Sequence, residues 1–260
     1  MAAQAPPSCA PTNWSPRSLA PLLAPGRGRA AERPDQLGAQ QLLFGPECTD
    51  SPSAAQGAAS ATQVVDGVSI ALVQRRPAGK SGRGWSGDQC QFEVRLADGA
   101  GKPTLLEESR VPPHTTITAL VRSGTAVYLS VGFNGYAKEF PRGGNRVLAV
   151  DACEGRVAWQ SPDATSNGGL LLLGDYLIAP YGFTSERRFL HVLDAHSGAV
   201  VQRLPVLENI CPSRSWAPNH RPGDRCDAPG QVVGAAREPR VESGLLLVDT
   251  NTGSAAFHFR

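Results

Sequence analysis

The chain has 260 residues, of which 41% are hydrophobic, and a formal net charge of +2. This composition allows a substantial apolar core. The 25 Lys and Arg residues form only short clusters, and no apolar run is long enough to cross a membrane. We therefore predict no nucleic-acid binding and no membrane span. The 28 Gly and 22 Pro residues indicate a fold that is rich in turns.

Residues 1–60 are predicted to be a flexible, Ala/Pro-rich tail or linker. Their composition offers too little apolar surface to offset the entropy that is lost on ordering. Within this segment, Gln36–Phe44 is apolar enough to dock as a short helix or strand. No basic region followed by an apolar stretch is visible near Met1, so we predict either a cytoplasmic protein or a signal peptide outside this sequence.

Residues 61–260 are predicted to be a β-propeller-like repeat domain. Val64–Val73 and Cys90–Leu96 have the patterns of an N-terminal pair of strands. From Ile117 onwards, eight short apolar segments follow in order, which predicts two four-stranded units: 117–121, 127–131, 147–150, 157–159, 169–173, 176–179, 189–193 and 200–204. A polar, Pro-rich loop insertion at about residues 207–230 interrupts the next unit.

One sequence motif occurs three times, at Arg146–Trp159, Phe189–Gln202 and, more weakly, Gly244–Phe257. Each copy contains an apolar strand, an Asp-x-x-x-Gly turn and a second apolar strand, which predicts a hairpin. The predicted turn residues are Asp151 and Gly155, Asp194 and Gly198, and Asp249 and Gly253. Hairpins repeated about every 40 to 50 residues are typical of propeller blades. The predicted fold class is all-β, with an array of about three to four antiparallel four-stranded units.

At Ala149–Trp159 and Leu193–Val201 the chain resembles the pyrroloquinoline-quinone-like β-propeller repeat, whose usual form is Ala-Leu-Asp-x-x-Thr-Gly-x-x-x-Trp. The run Gly174–Asp194 is similar to uncharacterised secreted bacterial proteins of this repeat type. The resemblance implies that Trp159 docks one blade on the next. Gln202 and Phe257 stand near the corresponding places of the other two copies.

The resemblance also implies an alternative function, because the family includes quinone-dependent alcohol and sugar dehydrogenases. Those enzymes have more blades than this chain can form, and many carry adjacent cysteines and acidic calcium ligands that we cannot align here. We therefore predict no catalytic residue, no metal and no cofactor, and we favour a protein that is not an enzyme over a quinoprotein-like dehydrogenase or cofactor binder. The five histidines share no ligand spacing, and His191 is expected to face outward or to make a local hydrogen bond.

The leading functional prediction is non-catalytic binding or scaffolding, since loops on rigid repeats commonly provide contact surfaces. Four aromatic residues could line such a surface where the loops converge, with ordinary packing as the alternative: Phe133, Tyr136, Tyr181 and Phe183. The predicted partner is a protein or a surface component. Self-association remains open, because a few blades leave sheet edges or faces uncovered.

Six cysteines are dispersed along the chain. Cys211 and Cys226 bracket the predicted insertion and are the candidate disulfide, since a bond there would close a loop that has little else to hold it. Disulfides favour a periplasmic or extracellular location. Six reduced thiols in the cytoplasm are the alternative.

Overall fold

The computed structural model describes most of residues 62–259, with gaps at 78–87, 107–114, 134–144, 168, 183–186, 208–209, 211–238 and 251–252. Before residue 62 it describes Cys9, Trp14 and three short strands. All regular structure in these ranges is β-strand, and every strand pairing is antiparallel. The prediction of an all-β chain with repeated antiparallel sheets is confirmed.

The strands, in chain order, are β1 (Leu23–Pro25), β2 (Gln36–Gly38), β3 (Gln40–Gln41), β4 (Thr62–Val65), β5 (Val68–Pro77), β6 (Asp88–Leu96), β7 (Thr104–Leu106), β8 (Thr115–Ser123), β9 (Ala126–Phe133), β10 (Arg146–Asp151), β11 (Arg156–Gln160), β12 (Leu171–Leu173), β13 (Tyr176–Tyr181), β14 (Phe189–Asp194), β15 (Val200–Pro205), β16 (Arg240–Glu242), β17 (Leu245–Thr250) and β18 (Gly253–Phe259).

We number the four sheets along the chain. Sheet 1 contains β4 to β7, sheet 2 contains β8 to β11, sheet 3 contains β12 to β15, and sheet 4 contains β16 to β18. The consecutive strands of each sheet are neighbours, so each sheet is a meander. Three of the sheets are each extended by a different short N-terminal strand: β3 pairs with β8, β2 pairs with β12, and β1 pairs with β18.

Of these three short strands, β2 and β3 lie within Gln36–Phe44, the stretch that the sequence indicated could dock as a short helix or strand, and β1 lies earlier in residues 1–60. At the described positions the chain pairs with sheet edges. A free edge presents unpaired N–H and C=O groups along its length, and pairing them can compensate for weak local strand propensity. Composition cannot reveal such a long-range pairing. The domain boundary at residue 60 stays a prediction.

Sheets 2 and 3 bury apolar side chains on both of their faces. On β10, Leu148 and Val150 pack towards sheet 1, whereas Val147 and Ala149 pack towards sheet 3. Successive side chains of a strand point to opposite faces, so the four residues Val147–Val150 are all apolar and every residue of β10 is buried. A third apolar cluster joins sheet 3 to sheet 4. In the described part of the chain the four sheets thus form a row with three apolar interfaces, and no apolar cluster joins sheet 4 to sheet 1.

The two ends of sheets 1 to 3 differ. At one end, which we call the turn end, the strands are joined by connections of two to seven residues: 66–67, 97–103, 124–125, 152–155, 174–175 and 195–199. At the opposite end, the loop end, the strands are joined by connections of seven to 34 residues, most of which lie outside the described ranges: 78–87, 107–114, 134–145, 161–170, 182–188 and 206–239. The turn ends lie side by side, because Arg122 Nη1 of sheet 2 donates a hydrogen bond to the Asp66 carbonyl of sheet 1, at 3.2 Å.

The predicted insertion at about 207–230 falls mostly outside the described residues. Its described residues are Leu207 and Ile210. The N–H of Ile210 donates to the Gly182 carbonyl at 2.9 Å, and Ile210 forms a β-bridge with Thr250 of sheet 4. Among the residues that the structure describes, no helix is long and apolar enough to cross a membrane.

Candidate functional site

The first repeat turn is held by the buried carboxylate of Asp151. Its Oδ1 accepts hydrogen bonds from the backbone N–H groups of Cys153 and Glu154, at 3.1 and 3.2 Å. The N–H of Gly155 donates to the Asp151 carbonyl at 2.9 Å, and its φ of 67° lies in the left-handed region that favours glycine. The side chain thus replaces water as the partner of backbone groups that the turn leaves free.

The second repeat turn has the same construction around Asp194. Its Oδ1 accepts hydrogen bonds from the N–H groups of His196 and Ser197, at 3.0 and 2.6 Å, and from the Ser197 hydroxyl at 2.7 Å. Gly198 has a φ of 72°. Both hairpins also shift register at the equivalent place, between Ala149 and Val150 and between Val192 and Leu193. The two copies therefore share backbone geometry as well as sequence.

The third copy differs from the first two. Thr250 pairs directly with Gly253, so only two residues separate the strands. The Asp249 carboxylate accepts hydrogen bonds from Arg240 Nη1 at 2.8 Å and from the Ser254 hydroxyl at 2.7 Å. In the described residues Asp249 therefore ties β17 to its two neighbouring strands.

An aromatic cluster lies between sheets 2 and 3 near the turn end. The indole N–H of Trp159 donates to the Ala195 carbonyl at 3.1 Å, and its ring lies against Gly198. The ring centroid of Tyr128 is 5.9 Å from that of Trp159 and 6.3 Å from that of Trp14. Trp159 of sheet 2 thus contacts the repeat turn of sheet 3, and its role as a blade-docking residue stays a prediction.

Trp14 reaches this cluster from the N-terminal segment. Its indole N–H donates to Asp151 Oδ2 at 3.1 Å. The equivalent Oδ2 atom of Asp194 has no hydrogen-bond partner and is fully buried. Burial, with the charges of Asp194 and Asp175, raises the pKa of Tyr128, so the phenol stays protonated at neutral pH.

A disulfide joins Cys9 to Cys153, which is in the first repeat turn. Together with the Trp14 hydrogen bond, it holds Cys9 and Trp14 at the turn end of sheet 2. Cys211 and Cys226, the candidate pair from the sequence, lie outside the described residues. A disulfide is consistent with a location outside the cytoplasm.

The close contact of Trp159 with Gly198 gives a first prediction. A Cβ atom at position 198 would lie 2.7 Å from Trp159 Cδ2, whereas one at Gly174 would meet nothing within 4 Å. Both glycines have positive φ, at 72° and 56°, so an alanine is strained at either position. We expect Gly198→Ala to lower the free energy of unfolding by about 2 kcal/mol more than Gly174→Ala does, as overpacking costs about 1 to 3 kcal/mol. Urea unfolding of the two variants measures the difference, and equal losses would contradict the contact.

At the loop end, a buried polar network connects the same two sheets. The hydroxyls of Ser130 and Ser166 are 2.8 Å apart, and the Gly182 N–H donates to Asn167 Oδ1 at 3.0 Å. The N–H groups of Thr165 and Ser166 both donate to the Asn145 carbonyl. The connection 161–167 is thereby fixed between β9 and the end of β13.

His191 borders this network and is buried, with an exposed fraction of 5%. The expectation that it would face outward is wrong, because its side chain lies on the face of β14 that packs against sheet 2. Its Nδ1 has no hydrogen-bond partner. Burial lowers the pKa of His191 to about 4, and the charge of Arg203 acts in the same direction, while backbone hydrogen bonds with Thr165 and Ala179 oppose it.

Because the folded state keeps the His191 imidazole neutral, the stability of the protein should fall in acid. The pKa rises from about 4 in the folded state to about 6.5 in the unfolded state, so the unfolded chain binds more protons between these values. Stability is complete above pH 6.5 and is lost as the pH falls towards 4. We expect a loss of about 3 kcal/mol from this group. Denaturation of the wild type and of His191→Gln across this range isolates the contribution, since carboxylates titrate in both; parallel curves would contradict it.

The four predicted surface aromatics are placed only in part. Phe133 is the last residue of β9 and Tyr181 the last of β13, so both lie at the loop end of adjacent sheets. The side chain of Tyr181 is buried, with an exposed fraction of 5%, and therefore packs within the structure. Tyr136 and Phe183 lie outside the described residues, as does the side chain of Phe133. The predicted binding surface stays a prediction.

The fold, with the aromatic cluster and the polar network between sheets 2 and 3, defines an all-β protein of stacked, repeated antiparallel sheets. Comparisons with protein-family models and with curated proteins find no match. Within the described ranges, no group of three or more His, Cys, Asp or Glu side chains is arranged to hold a metal ion.

Sequence reasoning did not find Trp14, Tyr128 or the Cys9–Cys153 bond. Trp14 and Cys9 are isolated in a polar, Pro-rich stretch, and no periodicity links them to the repeats. Cys153 did carry a signal, since it occupies a turn position in the first copy where the second copy has His196. That difference between copies could have suggested a role for Cys153 beyond the hairpin.

Proposed function

We propose that the chain is a non-catalytic binding or scaffolding protein whose contact surface is the loop end. One observation carries this proposal: every connection of sheets 1 to 3 that is longer than seven residues leaves from the loop end, whereas the connections at the turn end have two to seven residues. Long loops that are positioned by a rigid framework are the usual site of recognition in repeat proteins.

The framework beneath the loops is well held. Sheets 2 and 3 are buried on both faces, and the polar network of Ser130, Ser166, Asn167 and Gly182 fixes the bases of three loop-end connections. A satisfied buried network favours one arrangement over others. This supports a surface whose loop bases are already ordered before a partner binds.

We also propose that the four sheets are propeller-type blades. The support is the shared hairpin construction of the two repeat turns and the ordered packing of each sheet on the next. The proposed partner is a protein or a cell-surface component, and the proposed location is outside the cytoplasm, which the disulfide supports.

A random peptide library displayed on phage, selected against the immobilised chain, tests the contact surface. The loop-end variant replaces residues 136–142 with Gly and Ser, and the matched turn-end variant is Lys102→Glu, an exposed position on the opposite end. We expect the selected peptides to bind the loop-end variant at least about tenfold more weakly, about 1.4 kcal/mol, and the turn-end variant unchanged. Peptides with the reverse preference would overturn the assignment.

The quinoprotein alternative has its own measurement. The intact chain is incubated with pyrroloquinoline quinone, Ca²⁺, an alcohol or sugar and a dye that accepts electrons. We expect no turnover above a sample without protein. Sustained dye reduction that requires both the quinone and the chain would replace the binding proposal with an enzymatic one.

A further inference from the structure

Among the residues that the structure describes, the row of sheets ends in two faces that no other sheet covers. Each of the three apolar interfaces uses one face of a sheet and the opposite face of the next. This leaves the outer face of sheet 1 and the outer face of sheet 4. We call them the leading face and the trailing face.

The leading face consists of two cross-strand rows. One row is Val64, Ser69 and Arg95, and the other is Ala71, Glu93 and Leu105. Val64 and Leu105 are 60% and 45% exposed, whereas Ser69 in the middle of the first row is buried, at 4%. Two large apolar side chains therefore stand open at opposite corners of one sheet face, and the chain's own sheet 4 does not cover them.

The trailing face has a similar mixture of apolar and charged groups. Its rows are Glu242, Leu245 and His258, then Arg240, Leu247 and Ala256, with Asp249 and Ser254 at the end. No residue of these rows is fully buried, whereas Leu246, Val248 and Phe257 on the other face of the sheet are. Leucines at partly exposed positions in the centre of a sheet are a typical feature of a contact face.

The internal interfaces show how such faces meet. The carbonyl of Ala152 on sheet 2 accepts a hydrogen bond from the Lys102 N–H of sheet 1, at 3.0 Å. The carbonyl of Ala195 on sheet 3 accepts one from the Trp159 indole of sheet 2, at 3.1 Å. At these two interfaces the preceding sheet thus donates to the first residue of the next repeat turn.

Sheet 1 has the equivalent acceptor without a preceding sheet. Ala97 follows β6, and its N–H bonds to the Gly67 carbonyl as the Ala152 N–H bonds to the Thr125 carbonyl. Ala152 and Ala195 are buried, at 0% and 2% exposure, but Ala97 is exposed. Ala97 therefore has the same backbone position as Ala152 and Ala195, which a preceding sheet buries, but no preceding sheet buries Ala97.

We infer that the missing sheet belongs to a second copy of this chain. The trailing face of one copy packs on the leading face of the other, and the same contact in reverse closes a ring of two copies. A heterologous contact of this kind closes when the rotation permits. Two copies of a four-sheet row make eight blades, which is within the usual size of propellers.

The charges of the two faces permit this contact. On the leading face, Arg95 pairs with Glu93 at 3.8 Å, and on the trailing face Arg240 pairs with Asp249 at 2.8 Å. Arg240 also pairs with Glu242, so one cation and two carboxylates give the described residues of the trailing face a net charge of −1, while Arg95 and Glu93 leave the leading face neutral. No extended field of one sign therefore opposes the association. The exposed apolar corners supply the driving force.

Size exclusion with light scattering tests the inference on the full chain. We expect twice the monomer mass of 27.4 kDa for the wild type. Leu105→Arg on the leading face and Ala256→Arg on the trailing face, both exposed in the single copy, should each give monomers. Leu207→Arg is the control, because Leu207 is 89% exposed but lies outside both faces, and it should keep the double mass.

Mixing the two disabled variants gives the decisive result. Each keeps the face that the other lacks, so the mixture should regain the double mass through one intact contact. A monomeric wild type overturns the inference. So does a double mass in either single variant alone, because it would show that identical faces pair.

Discussion

Replacing Trp159 with alanine is expected to lower the free energy of unfolding by about 3 to 5 kcal/mol, the usual cost of truncating a large buried aromatic residue. The side chain fills the space between sheets 2 and 3, where it contacts Gly198 and Tyr128. Its loss would leave a cavity at the interface and an unpaired Ala195 carbonyl. The midpoint and slope of urea unfolding measure the change.

Two further variants separate the lost hydrogen bond from the lost packing as causes of the destabilisation. Trp159→Phe keeps much of the ring but removes the indole donor, and should cost about 1 to 2 kcal/mol. In a Trp159→Ala background, Gly198→Ala should lose most of its own packing penalty, since the clashing ring is absent. Strictly additive effects of the two substitutions would show that residues 159 and 198 do not touch.

Removing the bond between Cys9 and Cys153 is expected to destabilise the protein by up to about 5 kcal/mol in the chain-entropy model. The two residues are separated by 144 positions, so the bond closes a very long loop in the unfolded chain. Cys9→Ser and Cys153→Ser should give the same loss, because either one opens the loop. Thermal and urea unfolding without reductant measure it.

The matched control for the disulfide is Trp14→Phe, which keeps the bond and removes only the hydrogen bond to Asp151. We expect it to cost about 1 kcal/mol. If Cys9→Ser is no less stable than Trp14→Phe, the covalent link does not hold the N-terminal segment on sheet 2.

The parts of the fold that the sequence predicts well are local. Asp151 with Gly155, and Asp194 with Gly198, mark turns because the carboxylate bonds N–H groups two and three positions later and the glycine takes a positive φ. Both requirements fall within a few residues, so both are visible as a motif. The alternating strands that flank these turns are predicted for the same reason.

The parts that escape prediction depend on residues far apart in the chain. Tyr128 has the sequence context of any strand residue, and only the tertiary structure places it beside the rings of Trp14 and Trp159 and the charges of Asp175 and Asp194. His191 alternates with apolar residues, which fits an exposed position on a one-sided sheet. Sheet 3 is covered on both faces, and this two-sided burial reverses the expectation.

The pairing of β1 with β18 has a consequence for how the molecule forms. Leu23 lies beside Phe259, so a strand from one end of the sequence completes a sheet made by the other end. Contacts of such high sequence separation raise the contact order and slow folding. During synthesis, the hairpins of sheets 1 to 3 can form one after another, but sheet 4 cannot be completed before β18 has emerged from the ribosome. The pairing of β1 with β18 is thus a late event relative to those hairpins.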